Sequence, residues 1–195
     1  MGLKPHEIAM LGVGRTFQFT RLFENVTVIE NVMAGQHRLM RSGISSAIFR
    51  SSRHKREENE GFRASLEKLS FVGLESIASE LVANIPFGQK RLVEIARALA
   101  LEPDLLLMDE PVSGLSSKEA EQMLEMIRQI RNRNVSVLFV DHHMNFVMEI
   151  SDEIVVLDQG SKIAEGRPED IQKEETVVTA YLGRRGGSLA ENGKN

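Results

Sequence analysis

The sequence predicts an α/β protein with a mostly parallel sheet and an α-helical subdomain, and three observations carry that prediction. Leu105–Met108 and Val135–Val140 are nearly continuous apolar runs, the pattern of strands covered on both faces. Between them Ala120, Met123, Leu124, Ile127 and Ile130 recur at helical spacing. Strand, helix and strand at this spacing form a βαβ unit, whose two strands run parallel. Residues 21–84, by contrast, carry helical periodicity and no convincing strand.

Taken in order, Pro5–Leu11 reads as a short helix, followed by a strand or loop carrying Arg15 to Gln18. Thr27 and Glu30 have capping-box spacing and open a helix through about Met40. The stretch "RSGISSAIFRSSRHKREENE" reads as a loop entering a charged helix. Phe62, Leu66 and Leu69 then form a helical stripe that stops near Gly73. Leu92, Ile95, Ala96 and Leu99 mark a helix from about Gln89 to Leu101, ended by Glu102-Pro103. Ser116 and Glu119 are placed to cap the helix of the βαβ unit. Ile154–Leu157 offers a further strand, Gly160 a turn, and residues 168–182 a helical stretch. The chain so divides into a core segment at 1–20, a helical subdomain at 21–84, a second core half at 85–182 and a flexible tail at 183–195.

Composition narrows the function classes. The 195 residues are 42% hydrophobic and 27% charged, enough to bury a core. A net charge of −4 gives no global basic surface, so nucleic acid is not an expected partner. The absence of cysteine removes disulfides and thiolate metal sites from consideration. No apolar run approaches the roughly 18 residues of a membrane span.

The residues that could carry chemistry collect at strand ends. Parallel strands finish on one edge of the sheet, where α/β proteins bind ligands. The first strand finishes at Asp109-Glu110 and the next at Asp141-His142-His143. Successive residues leaving a strand point to opposite sides, so one acid can hold magnesium while the other poises a water, as phosphoryl transfer requires. A solvated turn would also explain Asp-Glu-Pro at this position. The helix opened by Gly88-Gln89 has exposed N–H groups and a positive dipole end that suit an anion, and glycine permits close backbone approach. A plain Pro-x-Gly turn before a helix fits the same letters.

Together these residues resemble the ATP-binding subunits of ABC transporters. "IPFGQKRLVEIARAL" resembles the family signature segment, "LLLMDEP" the Walker B strand, and "SGLS" the D-loop. "RTFQ" is similar to the Q-loop and "VDHHM" to the switch-histidine loop. "RLFENVTVIENVMAGQH", the Pro-aromatic-Gly-Gln signature and the ending "VVTAYLG" look like the LivG-like subunits of branched-chain amino-acid importers.

The resemblance implies a P-loop NTPase-like (RecA-like) core, ATP and Mg2+ as cofactors, and ATP hydrolysis coupled to transport. It implies Asp109 as magnesium ligand, Glu110 as the group polarising the attacking water, Gln18 on magnesium or water, and His142 on the γ-phosphate. Pro86, Phe87, Gly88 and Gln89 would face the nucleotide of a second ATPase subunit, and Ser113 and Gly114 would lie along that dimer interface. The implied partners are that second subunit, membrane permease subunits and, indirectly, a substrate-binding protein. The implied location is cytoplasmic, peripheral on the inner face of the membrane.

This sequence departs from the family pattern at three places. Pro86-Phe87 stands where the signature usually has Ser-Gly, so a phosphate-binding hydroxyl is replaced by backbone N–H groups, and proline removes one of those donors. Ser116 stands where the D-loop usually has an acid or an amide. The glycine-rich loop GxxxxGK[ST] expected before the Q-loop is not found: the one Gly-Lys pair is Gly193-Lys194, followed by Asn195. The expectation is an N-terminally truncated subunit that is inactive alone, with a non-catalytic dimer partner as the alternative.

Overall fold

The computed structural model describes residues 2–18, 20–36 and 52–180. The α-helix expected to run from Thr27 to about Met40 ends at Gly35, with Gln36 as its C-cap; much of the loop that follows and the tail at 183–195 lie outside the described residues. The chain forms two compact units, Met1–Asp141 and His142–Asn195.

In the first unit, helix α1 (Pro5–Met10) leads into strand β1 (Val13–Arg15). Helix α2 (Val28–Gly35) follows, then the long α3 (Ser52–Phe71). The Thr27–Glu30 capping box forms: the Glu30 N–H donates to Thr27 Oγ1 at 3.3 Å, and the Thr27 N–H to Glu30 Oε2 at 2.7 Å. Helix α4 (Phe87–Leu99) opens two residues earlier than its apolar stripe suggested, because Pro86, with its preset φ, serves as N-cap. Strand β2 (Leu105–Asp109), helix α5 (Ser117–Asn132) and strand β3 (Ser136–Val140) complete the expected βαβ unit. The α5 box also forms, with the Ser116 N–H donating to Glu119 Oε2 at 2.8 Å.

The sheet is parallel throughout, in the order β1-β2-β3. Leu106 pairs with Gly14 on one side and Val137 on the other. Leu106 and Met108 point into a core shared with Val93, Ile95 and Ala96 of α4 and Met123 and Ile127 of α5, all buried. Burying one such side chain contributes about 1.5–3 kcal/mol. α2 and α3 pack on α4, with Val28, Val32 and Leu69 fully buried.

Two expectations need correction here. β3 is not covered on both faces: Leu138 and Val140 are 59% and 68% exposed. Phe62 is exposed, and the buried stripe of α3 runs instead through Gly61, Ser65 and Leu69, with Val72 buried just past its end. Ser65 is tolerated inside because its hydroxyl accepts from Gln36 Nε2 at 2.8 Å.

In the second unit, helix α6 (Met144–Ile150) precedes strands β4 (Ile154–Asp158) and β5 (Ser161–Gly166). The two strands form an antiparallel hairpin turning at Gln159-Gly160, where both residues take positive φ. The sequence showed only the first of them, because β5 is short of apolar residues. Helix α7 (Pro168–Ile171) is separated by a turn from a further helical stretch at 175–180, so the helix expected over 168–182 is broken.

Candidate functional site

β2 and β3 are adjacent, and the Glu110 N–H donates to the Val140 carbonyl at 2.8 Å just past the strand end. Glu110 adopts φ +44°, in the left-handed region that a side chain rarely takes. Such a conformation persists where the surroundings hold it, and it often marks function. Asp109 and Glu110 find different partners, as alternation along the strand implies. Asp109 Oδ2 lies 3.9 Å from Arg15 Nη2, on the half-exposed side of the sheet edge. Glu110 Oε2 accepts from Gln18 Nε2 at 2.9 Å. Residues 92 positions apart are thereby joined.

The donor set suits a hard cation. The Gln18 amide uses its nitrogen on Glu110, which leaves its carbonyl oxygen for an ion, and the Asp109 carboxylate is accessible. Carboxylate and carbonyl oxygens are the ligands Mg2+ prefers, with water completing the shell.

Beneath this pair lies a charged cluster that the sequence reading did not single out. Arg91 and Glu94 of α4 are 2% and 1% exposed. Arg91 Nη1 donates to Glu94 Oε2 at 3.2 Å and also to the Phe17 carbonyl, while Nη2 donates to the Glu110 carbonyl at 3.0 Å. Glu94 Oε1 accepts the Phe17 N–H at 3.2 Å, and Arg97 Nη2 lies 4.0 Å from the same oxygen. Burial pushes the Glu94 carboxyl above its ordinary range, against the lowering effect of the Phe17 N–H and the two arginines. Burial likewise lowers Arg97, with Glu94 opposing it. The missed signal was a charged i,i+3 pair on the inward face of an amphipathic helix.

The other expected residues form a second group. Pro86 supplies no side-chain acceptor to the first turn of α4, so its leading N–H groups have no intrahelical partner. Phe87 is 46% exposed and lies beside Gly114, where an added Cβ would sit 3.4 Å from the ring. Gly114 takes φ +76°. A Cβ on Gly88 would meet Glu119 Oε1 at 2.3 Å, so this helix start is packed against the cap of α5. The Ser113 N–H donates to the Glu110 carbonyl at 3.2 Å, linking this loop to the strand end. His142 belongs to the second unit; it is exposed, with its ring 4.3 Å from that of His143.

A parallel sheet with an acid and a glutamine joined at its strand ends is the architecture of an α/β protein that binds a ligand at that edge. Comparison with known proteins narrows this. The ABC transporter family matches residues 4–113, and a segment described as branched-chain amino acid ATP-binding cassette transporter matches residues 161–186. The chain is 39% identical over 183 residues to the high-affinity branched-chain amino acid transport ATP-binding protein LivG of Salmonella typhimurium, covering 93% of this chain and 72% of that one. It is 35% identical to a probable LivG of Archaeoglobus fulgidus, covering 95% and 71%. Among solved structures, a nucleotide-free ATP-binding cassette from an ABC transporter aligns with TM-score 0.75 at 27% identity, over 92% of this chain and 72% of that one. A dimeric post-hydrolysis state of the cassette MJ0796, bound to ADP and Pi, aligns with TM-score 0.69 at 26% identity, over 85% and 68%. The chain belongs to the ABC transporter family of ATP-binding proteins, and within it is LivG-like.

Proposed function

We propose that this chain is the ATP-binding subunit of an importer for branched-chain amino acids. The observation that carries the chemical part is the Gln18–Glu110 hydrogen bond at the parallel strand end, with Asp109 beside it. The names of the LivG relatives support the substrate class. Among the described residues no helix is long and apolar enough to cross a membrane. As the relatives' name of transport ATP-binding protein suggests, the subunit would reach the membrane through permease subunits, peripheral on the inner, cytoplasmic face.

ATP with Mg2+ supplies the phosphoryl group and the charge that balances it. Asp109 and the Gln18 side-chain carbonyl would hold the ion through oxygen, and Glu110 would accept a hydrogen bond from the attacking water and orient it. His142 donates to the terminal phosphate. The N–H groups of Phe87, Gly88 and Gln89 face the nucleotide of a second ATPase subunit, while Ser113 and Gly114 line the contact between the two. The helical subdomain and the Gln18 segment pass the motion to the permease, which takes its cargo from a substrate-binding protein.

A second reading is a non-catalytic partner that offers its signature residues, with Phe87 exposed at the start of α4, to a complete ATPase subunit. On either reading the 195-residue chain by itself neither binds ATP tightly nor hydrolyses it. Calorimetric titration and phosphate release, on the chain alone and then mixed with a complete LivG-like subunit and permease, test both. Stimulation of the complete subunit, abolished by Gly88→Asp and unaffected by Glu110→Gln, supports the partner reading. Dependence on Glu110 in the assembly supports the catalytic one, and micromolar ATP affinity of the isolated chain overturns the expectation of inactivity.

A further inference from the structure

A buried ion pair is a poor stabiliser, because desolvating both charges offsets their attraction, and apolar residues of similar volume often serve as well. The placement of Arg91 and Glu94 in the core of α4 therefore needs a reason other than stability. Their geometry supplies one. Thr16 is the last residue of the β1 exit still bonded to the sheet, its N–H donating to the Leu107 carbonyl at 2.9 Å. Phe17 follows, and both of its backbone polar groups are taken by this pair: the N–H by Glu94, the carbonyl by Arg91. Gln18 is the next residue. The second Nη of Arg91 holds the carbonyl of Glu110, the residue at positive φ. One planar guanidinium thus spans two chain segments, and the carboxylate fixes its orientation. Arg91 Nε finds no partner among the described residues, so the guanidinium is aimed at these carbonyls at the expense of one of its own donors.

We propose that Arg91 and Glu94 are positioning residues that hold Gln18 and Glu110 in register with each other and with α4. Resting on the reading of Gln18 and Glu110 given above, the pair makes the helix that begins at Phe87-Gly88 and the water-orienting pair move as one body. A displacement at the start of α4 is then transmitted to Glu110 through Arg91. Lysine cannot replace Arg91, since a single ammonium lacks the two-pronged donor geometry that reaches both carbonyls.

The test uses the full 195-residue chain, labelled with 15N, as Arg91→Lys and Glu94→Gln variants. The readouts are the Gln18 side-chain amide resonance and backbone amide exchange at Phe17 and Glu110, compared with Leu106 and Val137 in the sheet. Positioning predicts a shifted Gln18 resonance and exchange about tenfold faster at Phe17 and Glu110 in Arg91→Lys, with the sheet amides unchanged within about twofold. If Arg91→Lys does not fold, Glu94→Gln, which keeps an acceptor for Phe17 but loses the charge, is read at Gln18 and Glu110 in the same way. Uniform acceleration across the unit, an unmoved Gln18 resonance, or global unfolding of both variants overturns the proposal and leaves the pair as core support. An ATPase assembly indifferent to Glu110→Gln would overturn the functional reading alone, so the two failures are distinguishable.

Discussion

Gly35 ends helix α2 where it crosses α4, and replacing it with alanine sets two effects of opposite sign against each other. A Cβ at this position would lie 2.1 Å from the Arg97 carbonyl oxygen and 3.1 Å from its carbon, both backbone atoms of α4. Ordinary contact begins at 3.4 Å, so the two helices would have to part by about 1.3 Å, which a close-packed interior resists. Fully buried Val28 and Val32 share that interface and would lose contact with α4. Overpacking of this kind costs about 1–3 kcal/mol, whereas alanine in place of glycine within a helix gains at most about 1 kcal/mol, and less at a last turn. The cost wins, and the net loss is about 1–2 kcal/mol, or a Tm lower by about 2–8 °C for a chain of this size. Urea unfolding followed by circular dichroism, together with calorimetry, measures it. A Gly35→Ala variant as stable as the parent would show that α2 and α4 are not in backbone contact, and the argument for their close crossing would fail.

Other expectations can be checked alongside. Arg91→Met leaves the Glu94 carboxylate buried without its fork and should cost about 3–5 kcal/mol in urea unfolding. Glu60→Gln at the exposed Arg56–Glu60 pair should cost only about 0.3–0.5 kcal/mol; equal losses would contradict the burial argument. Ser116→Ala removes the hydroxyl that accepts the Glu119 N–H and should lower stability by about 1 kcal/mol, read as a drop in Tm. The two kinds of carboxylate should respond oppositely to pH. Burial raises Glu94, so its contribution is fully present below the unfolded value near about 4.3 and declines as pH rises through the folded value. Glu119 is lowered, first by the Ser116 hydroxyl and then by the Ser116 N–H, so its contribution is present above the unfolded value and lost as pH falls through the folded one. Tm differences from the parent, taken from pH 3 to 7 for Glu94→Gln and Glu119→Gln, should slope in opposite directions; parallel slopes would refute the assignment.

Most of the first unit's elements were legible because their signals are local. Both capping boxes formed at the residues whose spacing announced them, and the stripe Met123, Leu124, Ile127 and Ile130 is buried as its period required. β2 and β3 were recognisable as apolar runs, and their parallel pairing followed from the helix between them. The same reasoning misjudged β3's outer face, because an apolar run shows that a strand can be covered, not what covers it. β5 escaped notice because a polar hairpin strand has neither an apolar run nor alternation. Phe62 was misplaced because the α3 stripe turns on Gly61 and Ser65, small residues that periodicity in hydrophobicity does not register.

By itself the sequence determined the two capped helix starts at Thr27 and Ser116, the apolar strands, and the acids and glutamine that could serve a nucleotide. These depend on neighbours within about a helical turn, or on residue type alone. Tertiary structure alone decided that Gln18 reaches Glu110 across 92 positions, and that Arg91 reaches Phe17 across 74. It also decided that a charged pair on the buried face of α4 lies directly under the site. Such contacts arise when β1 and β2 pair and α4 packs beneath their ends. No periodicity in the chain encodes them, because they join segments that only the completed sheet brings together.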